Sequence, residues 1–137
     1  MLLFELIQIA IGRRENLSRE PSVEEWWHLY EEAEKQSVVG VVLEGMAKLP
    51  KEQYPPQALL FQWVGDSEQI KAQNRIVNKR TAELINLFSK EGFHGCILKG
   101  QGNAMMYPNP YSRMSGDIDI WIDAPRDKVV DGSKLNQ

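Results

Sequence analysis

Apolar positions recur three and four apart over residues 2–91 and then switch to alternation, so the pattern predicts a helical first part followed by strands. Leu2, Leu3, Leu6, Ile7, Ala10 and Ile11 share one stripe, and Gly12 with Arg13 and Arg14 supplies a stop. Ser22, with Glu25 three residues on, forms a capping box after Pro21. Trp26, Leu29, Tyr30 and Ala33 then follow at helical spacing, with Trp27 as a half-exposed neighbour. Val38 to Leu49 carries both a β-branched run and a helical spacing, and its length favours a helix. Pro50 and Tyr54-Pro55-Pro56 mark a connector. From Gln57 to about Glu91 no proline occurs, and Ile70, Val77, Leu84, Leu87 and Phe88 make a stripe on one long helix, with a break expected near Gly65-Asp66-Ser67. Gly92 suits the residue after its end, with Phe93 folding back.

Beyond Gly95 the character changes. Cys96-Ile97-Leu98 is a short apolar run read as a buried strand, and Lys99-Gly100-Gln101-Gly102 turns the chain out of it. A short helix is expected over Asn103 to Tyr107. Asp117 to Ile122 alternates carboxylate and apolar residues, the period of a strand with one apolar face, and Asp123-Ala124-Pro125-Arg126-Asp127 reads as the cap and first turn of another helix. The fold class is therefore α+β: a helical region over 1–92, then the first part of a small mixed sheet over 93–137.

Composition narrows the partners. The chain of 137 residues has a hydrophobic fraction of 42%, a charged fraction of 26% and a net charge of -3, so it can bury a core and lacks the basic surplus that duplex nucleic acid demands. Cys96, the single cysteine, cannot form an internal disulfide and fits a reducing cytoplasm. The apolar start is interrupted by Glu5 and has no basic n-region or cleavage pattern, and no later stretch is long enough to span a bilayer. His28 and His94 stand apart, without zinc-ligand spacing or a nucleophile to serve.

The chemistry-bearing stretch is Leu98-Lys99-Gly100 followed by Arg113-Met114-Ser115-Gly116-Asp117-Ile118-Asp119-Ile120. On a strand, Asp117 and Asp119 face the same way, roughly 6–7 Å apart at the backbone. At an effective dielectric of about 20 their repulsion is on the order of 2–3 kcal/mol, which a divalent cation would reverse. Magnesium suits such a pair, because it accepts one or two carboxylates and completes its shell with water and substrate phosphates. A metal-bound nucleoside triphosphate is then the implied partner. Gly100 and Gly102 allow backbone N–H groups near phosphate oxygens, and Lys99 and Arg113 are candidate cations. A solvated strand face for the aspartates, and a purely structural pairing of Arg113 with them, are the plain alternatives.

On Ile97-Leu98-Lys99-Gly100, Tyr107-Pro108, Arg113 and Gly116-Asp117-Ile118-Asp119-Ile120, the chain resembles the DNA polymerase β-like nucleotidyltransferase superfamily. Within it, the chain is similar to an uncharacterised bacterial group with an N-terminal helical region. The resemblance implies Mg2+ ligated by Asp117 and Asp119, a phosphate-binding turn at Gly100, and supporting cations at Lys99 and Arg113. Gln101, also assigned to the nucleotide site, stands where many members carry a serine. The implied reaction moves a nucleoside monophosphate from a Mg-nucleotide triphosphate to an acceptor hydroxyl. A third carboxylate is expected on a later strand; with Asp127 and Asp131 in the helix region before it, and Asp123 better suited to a helix cap, the unit is expected to be truncated. The rival expectation is a non-catalytic interaction module with a vestigial unit. An exposed sheet edge leaves a homodimer open.

Overall fold

The computed structural model describes residues 1–124. Four helices come first: α1 (Leu2–Ala10), α2 (Val23–Lys35), α3 (Val39–Met46) and α4 (Gln57–Lys90), with a 3-10 turn over Lys51–Gln53 before the last. Then follow β1 (His94–Leu98), α5 (Gly100–Ala104), a second 3-10 turn over Pro110–Ser112, and β2 (Asp119–Asp123). The two described strands pair antiparallel, His94 opposite Asp123 and Leu98 opposite Asp119. This is the α+β class with a partial sheet.

Local rules set the helix ends. At α2 the Ser22 hydroxyl accepts from the Glu25 N–H, and the Glu25 carboxylate accepts from the Ser22 N–H at 2.8 Å, completing the capping box. Gly12 and Gly92 hold positive φ after α1 and α4. There Arg13 N–H donates to Gln8 O and Phe93 N–H to Phe88 O, so both helices end in Schellman motifs. Helix α2 ends in the same motif without glycine: Ser37 has φ 58, and Val38 N–H donates to Ala33 O. An L side chain in that region costs roughly 1–2 kcal/mol, partly offset by glycine's greater unfolded-state entropy. Ser37→Gly is therefore expected to stabilise the fold by about 0.5–1 kcal/mol. A urea midpoint that stays put or falls would count against the strain.

The core is built on α4. Leu59 and Trp63 from α4, Leu3, Leu6 and Ile9 from α1, Trp26, Tyr30 and Ala33 from α2, and Val39, Val42 and Met46 from α3 form one buried cluster. Trp63 meets Trp26 and Tyr30 edge-on, at 6.5 and 5.2 Å between ring centroids. Its indole N–H donates to Val39 O at 3.0 Å. The Tyr30 hydroxyl, beside Asp66 and Glu34, titrates well above the usual phenol range through burial and those carboxylates. Trp27 is 40% exposed, the half-exposed partner that the spacing implies.

Several expectations are corrected. Helix α4 runs unbroken through Gly65-Asp66-Ser67, because one face there is buried and propagation of an existing helix tolerates a single glycine. Its 34 residues extend about 51 Å, so it outruns the bundle. Leu87, near its far end, is 55% exposed, and the buried line instead passes through Ser67, Asn74, Val77 and Thr81. Strand β1 is not buried on both sides: exposure alternates along it, Cys96 faces outward, and Gly95 and Ile97 turn inward. The short helix starts at Gly100 rather than Asn103, since Asn103 N–H already donates to Lys99 O at 2.7 Å. No described helix is long and apolar enough to cross a membrane.

Candidate active site

At the end of β1 the chain reverses at Lys99, which holds φ 49 and ψ −132. That region is scarcely open to an L residue and stores on the order of 1–3 kcal/mol. The reversal directs the chain from Leu98 straight into α5. Gly102 lies so close under β1 that a Cβ there would sit 3.2 Å from Ile97 O. At Gly100 a Cβ would sit 3.6 Å from Asp117 O and 3.9 Å from both terminal nitrogens of Arg113. Gly100, Arg113 and the Asp117 backbone thus converge, although 17 positions separate Gly100 from Asp117.

The strand begins at Asp119 rather than at Asp117, which precedes it without regular secondary structure, because the β1 partner positions end at Leu98 opposite Asp119. Exposure alternates from Asp117 through Asp123, with Ile118, Ile120 and Ile122 turned inward and the three aspartates outward. Both aspartates are therefore exposed to solvent, and strand parity places Asp119 on the outward side with Trp121 and Asp123. Water screens their mutual repulsion to a fraction of the figure for a low-dielectric site. Among the described residues neither is ion-paired, and no three His, Cys, Asp or Glu side chains cluster as a metal cage. Asp123, opposite His94, shares the outward side; Asp127 and Asp131, and the helix that Asp123 was expected to cap, lie outside the described residues.

The segment carrying Arg113 is held from the helical half. Glu44 of α3 accepts from the Ser112 hydroxyl and the Asn109 amide, each at 2.8 Å. Asn74 of α4, 1% exposed, donates to Arg113 O at 2.6 Å and to Tyr111 O at 2.9 Å. The Arg75 guanidinium lies over the Tyr111 ring, 5.7 Å from its centroid. The Gln101 amide reaches Asn74 and Asn78, while its oxygen accepts from Arg113 at 3.4 Å. Lys99 is exposed beside Gly100. Glu44, Asn74 and Asn78 are the residues that sequence reasoning missed. A groove of about 430 Å³ opens nearby between α2, α4 and Met114-Ser115, with Glu34 and Asp66 on its walls.

A model of an uncharacterised nucleotidyltransferase family matches residues 22–131. The chain belongs to this family. The match starts at the Ser22 cap of α2 and covers every residue of the candidate site, from Lys99 through Asp119. No curated protein and no solved structure matches the chain. Gly100, Arg113 and the Asp117 backbone, which the fold brings together, all lie within the matched residues.

Proposed function

We propose that the protein transfers a nucleoside monophosphate from a magnesium-bound nucleoside triphosphate to an acceptor hydroxyl, by the arrangement of the polymerase β-like superfamily. The observation that carries this is the exposed pair Asp117 and Asp119 at the start of β2, with the Asp117 backbone and the Arg113 guanidinium both close to the Gly100 turn. The donor set fits magnesium: two hard, solvent-facing carboxylate oxygens, with room for water and phosphate ligands. Magnesium bound there would neutralise the triphosphate and polarise its phosphoryl oxygens.

The chain's own groups account for the rest of the substrate's tail. The Gly100 turn lets backbone N–H groups approach phosphate oxygens without a side chain between them. The planar Arg113 fork matches two phosphate oxygens at once, and exposed Lys99 adds a point charge. The acceptor oxygen then bonds to the α-phosphorus as the bond to the bridging oxygen breaks, a general base takes the hydroxyl proton, and pyrophosphate leaves with the electron pair. A reducing cytoplasm is the compartment this reading implies, since Cys96 presents a free thiol.

Melting with ligand tests the proposal. Magnesium with ATP or CTP at about a hundredfold over Kd should stabilise the fold by about 2.7 kcal/mol, a rise in midpoint on the order of 10 °C. Asp117→Asn combined with Asp119→Asn should abolish the rise and leave the unliganded midpoint nearly unchanged, because both side chains are exposed. A wild-type midpoint indifferent to magnesium with each common nucleoside triphosphate would rule the proposal out.

A further inference from the structure

We infer that Gln101 is a positioning residue that aims the Arg113 guanidinium, and that Asn74 and Asn78 of α4 set Gln101 in turn; the ligand-binding arm of this inference rests on the nucleotide site proposed above. The hydrogen-bond polarity admits one assignment of the amides. Gln101 Nε2 faces the Asn74 and Asn78 Oδ1 atoms, which can only accept, and Gln101 Oε1 faces an Arg113 N–H, which can only donate. Asn74 Nδ2 faces three backbone carbonyls, of Ile70, Tyr111 and Arg113, and so must be its nitrogen. The relay therefore runs from α4 through two amides to the cation.

The chemistry of the acceptor matters. Arg113 has five N–H donors, and the contact to Gln101 engages Nη1 alone, leaving Nη2 free of Gln101 while both terminal nitrogens lie close to Gly100. A carboxylate at position 101 would also hold the guanidinium, but it would neutralise the charge that a triphosphate needs. An amide orients the cation and leaves its charge intact. Gln101 itself has its nitrogen committed to α4, so its part in binding is indirect. This accounts for a glutamine where a phosphate-touching hydroxyl is the more familiar choice, and it makes α4 a structural component of the nucleotide site.

The test combines Gln101→Met, which keeps length and volume but cannot form the relay, with Gln101→Glu and Arg113→Ala. Titrating Mg-ATP by calorimetry, Gln101→Met should raise Kd about tenfold, the loss of orientation worth roughly one hydrogen bond to a charged group. Gln101→Glu should raise it further. In the Arg113→Ala background the Gln101→Met effect should vanish, because the residue it acts through is gone. Equal losses in both backgrounds, or no loss in the first, would overturn the inference. The ligand-free readout is the Arg113 Nε–Hε order parameter by NMR, expected to fall in Gln101→Met with an unchanged urea midpoint. A wild-type protein that binds none of the common magnesium-nucleoside triphosphates would remove the proposed function, while an order parameter indifferent to Gln101→Met would remove the relay on its own.

Discussion

Trp63→Ala is expected to remove about 3–5 kcal/mol of folding stability, a large share of the 5–15 kcal/mol typical of a domain. Trp63 is fully buried at the crossing of α2, α3 and α4, where it touches rings from α2 and a backbone carbonyl of α3 at once. Truncation removes the ring's burial, both edge-on contacts, and the N–H donor to Val39 O, and leaves a cavity that rigid helices cannot close. Urea denaturation followed by far-UV circular dichroism measures the loss. Trp121→Ala is the matched control: its ring is 55% exposed on the outward side of β2, and its removal should move stability by no more than about 0.5 kcal/mol. A loss below about 1.5 kcal/mol at Trp63 would mean that the bundle is not pinned where its rings meet.

Much of this arrangement is legible from local signals. The Ser22–Glu25 box, the glycines after α1 and α4, and the Trp26, Leu29, Tyr30 and Ala33 spacing each follow from groups within a few residues of one another, so periodicity and capping suffice. The outward exposure of Asp119 is legible for the same reason, since strand parity is a local property. Leu87 is a different case. Its apolar character fits the stripe, but helix α4 extends beyond the bundle, and what covers a residue there depends on elements distant in sequence.

The site's supports were hidden by their polarity. Ser67, Asn74 and Thr81 recur every seven residues within the buried line of α4, positions where an apolar residue is the default. A polar residue repeated in a core stripe is itself a signal, because a buried amide must find partners. For Asn74 those partners are the local carbonyl of Ile70 and the carbonyls of Tyr111 and Arg113, 37 and 39 positions away, and no local pattern identifies the distant two. The exposure of Cys96 was likewise hidden: a three-residue apolar run looks the same whether one or both faces are covered.

Gly40→Ala and Gly45→Ala separate the fold from the site. Both glycines lie on α3, and at each a Cβ would come within 2.2 Å of a backbone oxygen: Ser112 O for Gly40, Leu6 O for Gly45. Neither obstacle is a flexible side-chain end, so the backbone must move in both variants, at a cost of about 1–3 kcal/mol or more. The displaced partners differ. Gly45→Ala pushes away α1, which lies before the family match, and its obstacle is Leu6 O rather than the segment that carries Arg113. Gly40→Ala pushes Ser112 off α3, straining its hydroxyl bond to Glu44 and shifting Arg113, the next residue, against the fixed Asn74 amide. Similar losses of stability should therefore accompany different losses of function: Mg-ATP affinity about tenfold lower for Gly40→Ala and unchanged for Gly45→Ala, measured well below each variant's melting midpoint. Equal weakening in both would assign the effect to global loosening. Unchanged affinity in Gly40→Ala would show that the Pro110–Ser112 turn does not set the cation, and that α3 serves the core alone.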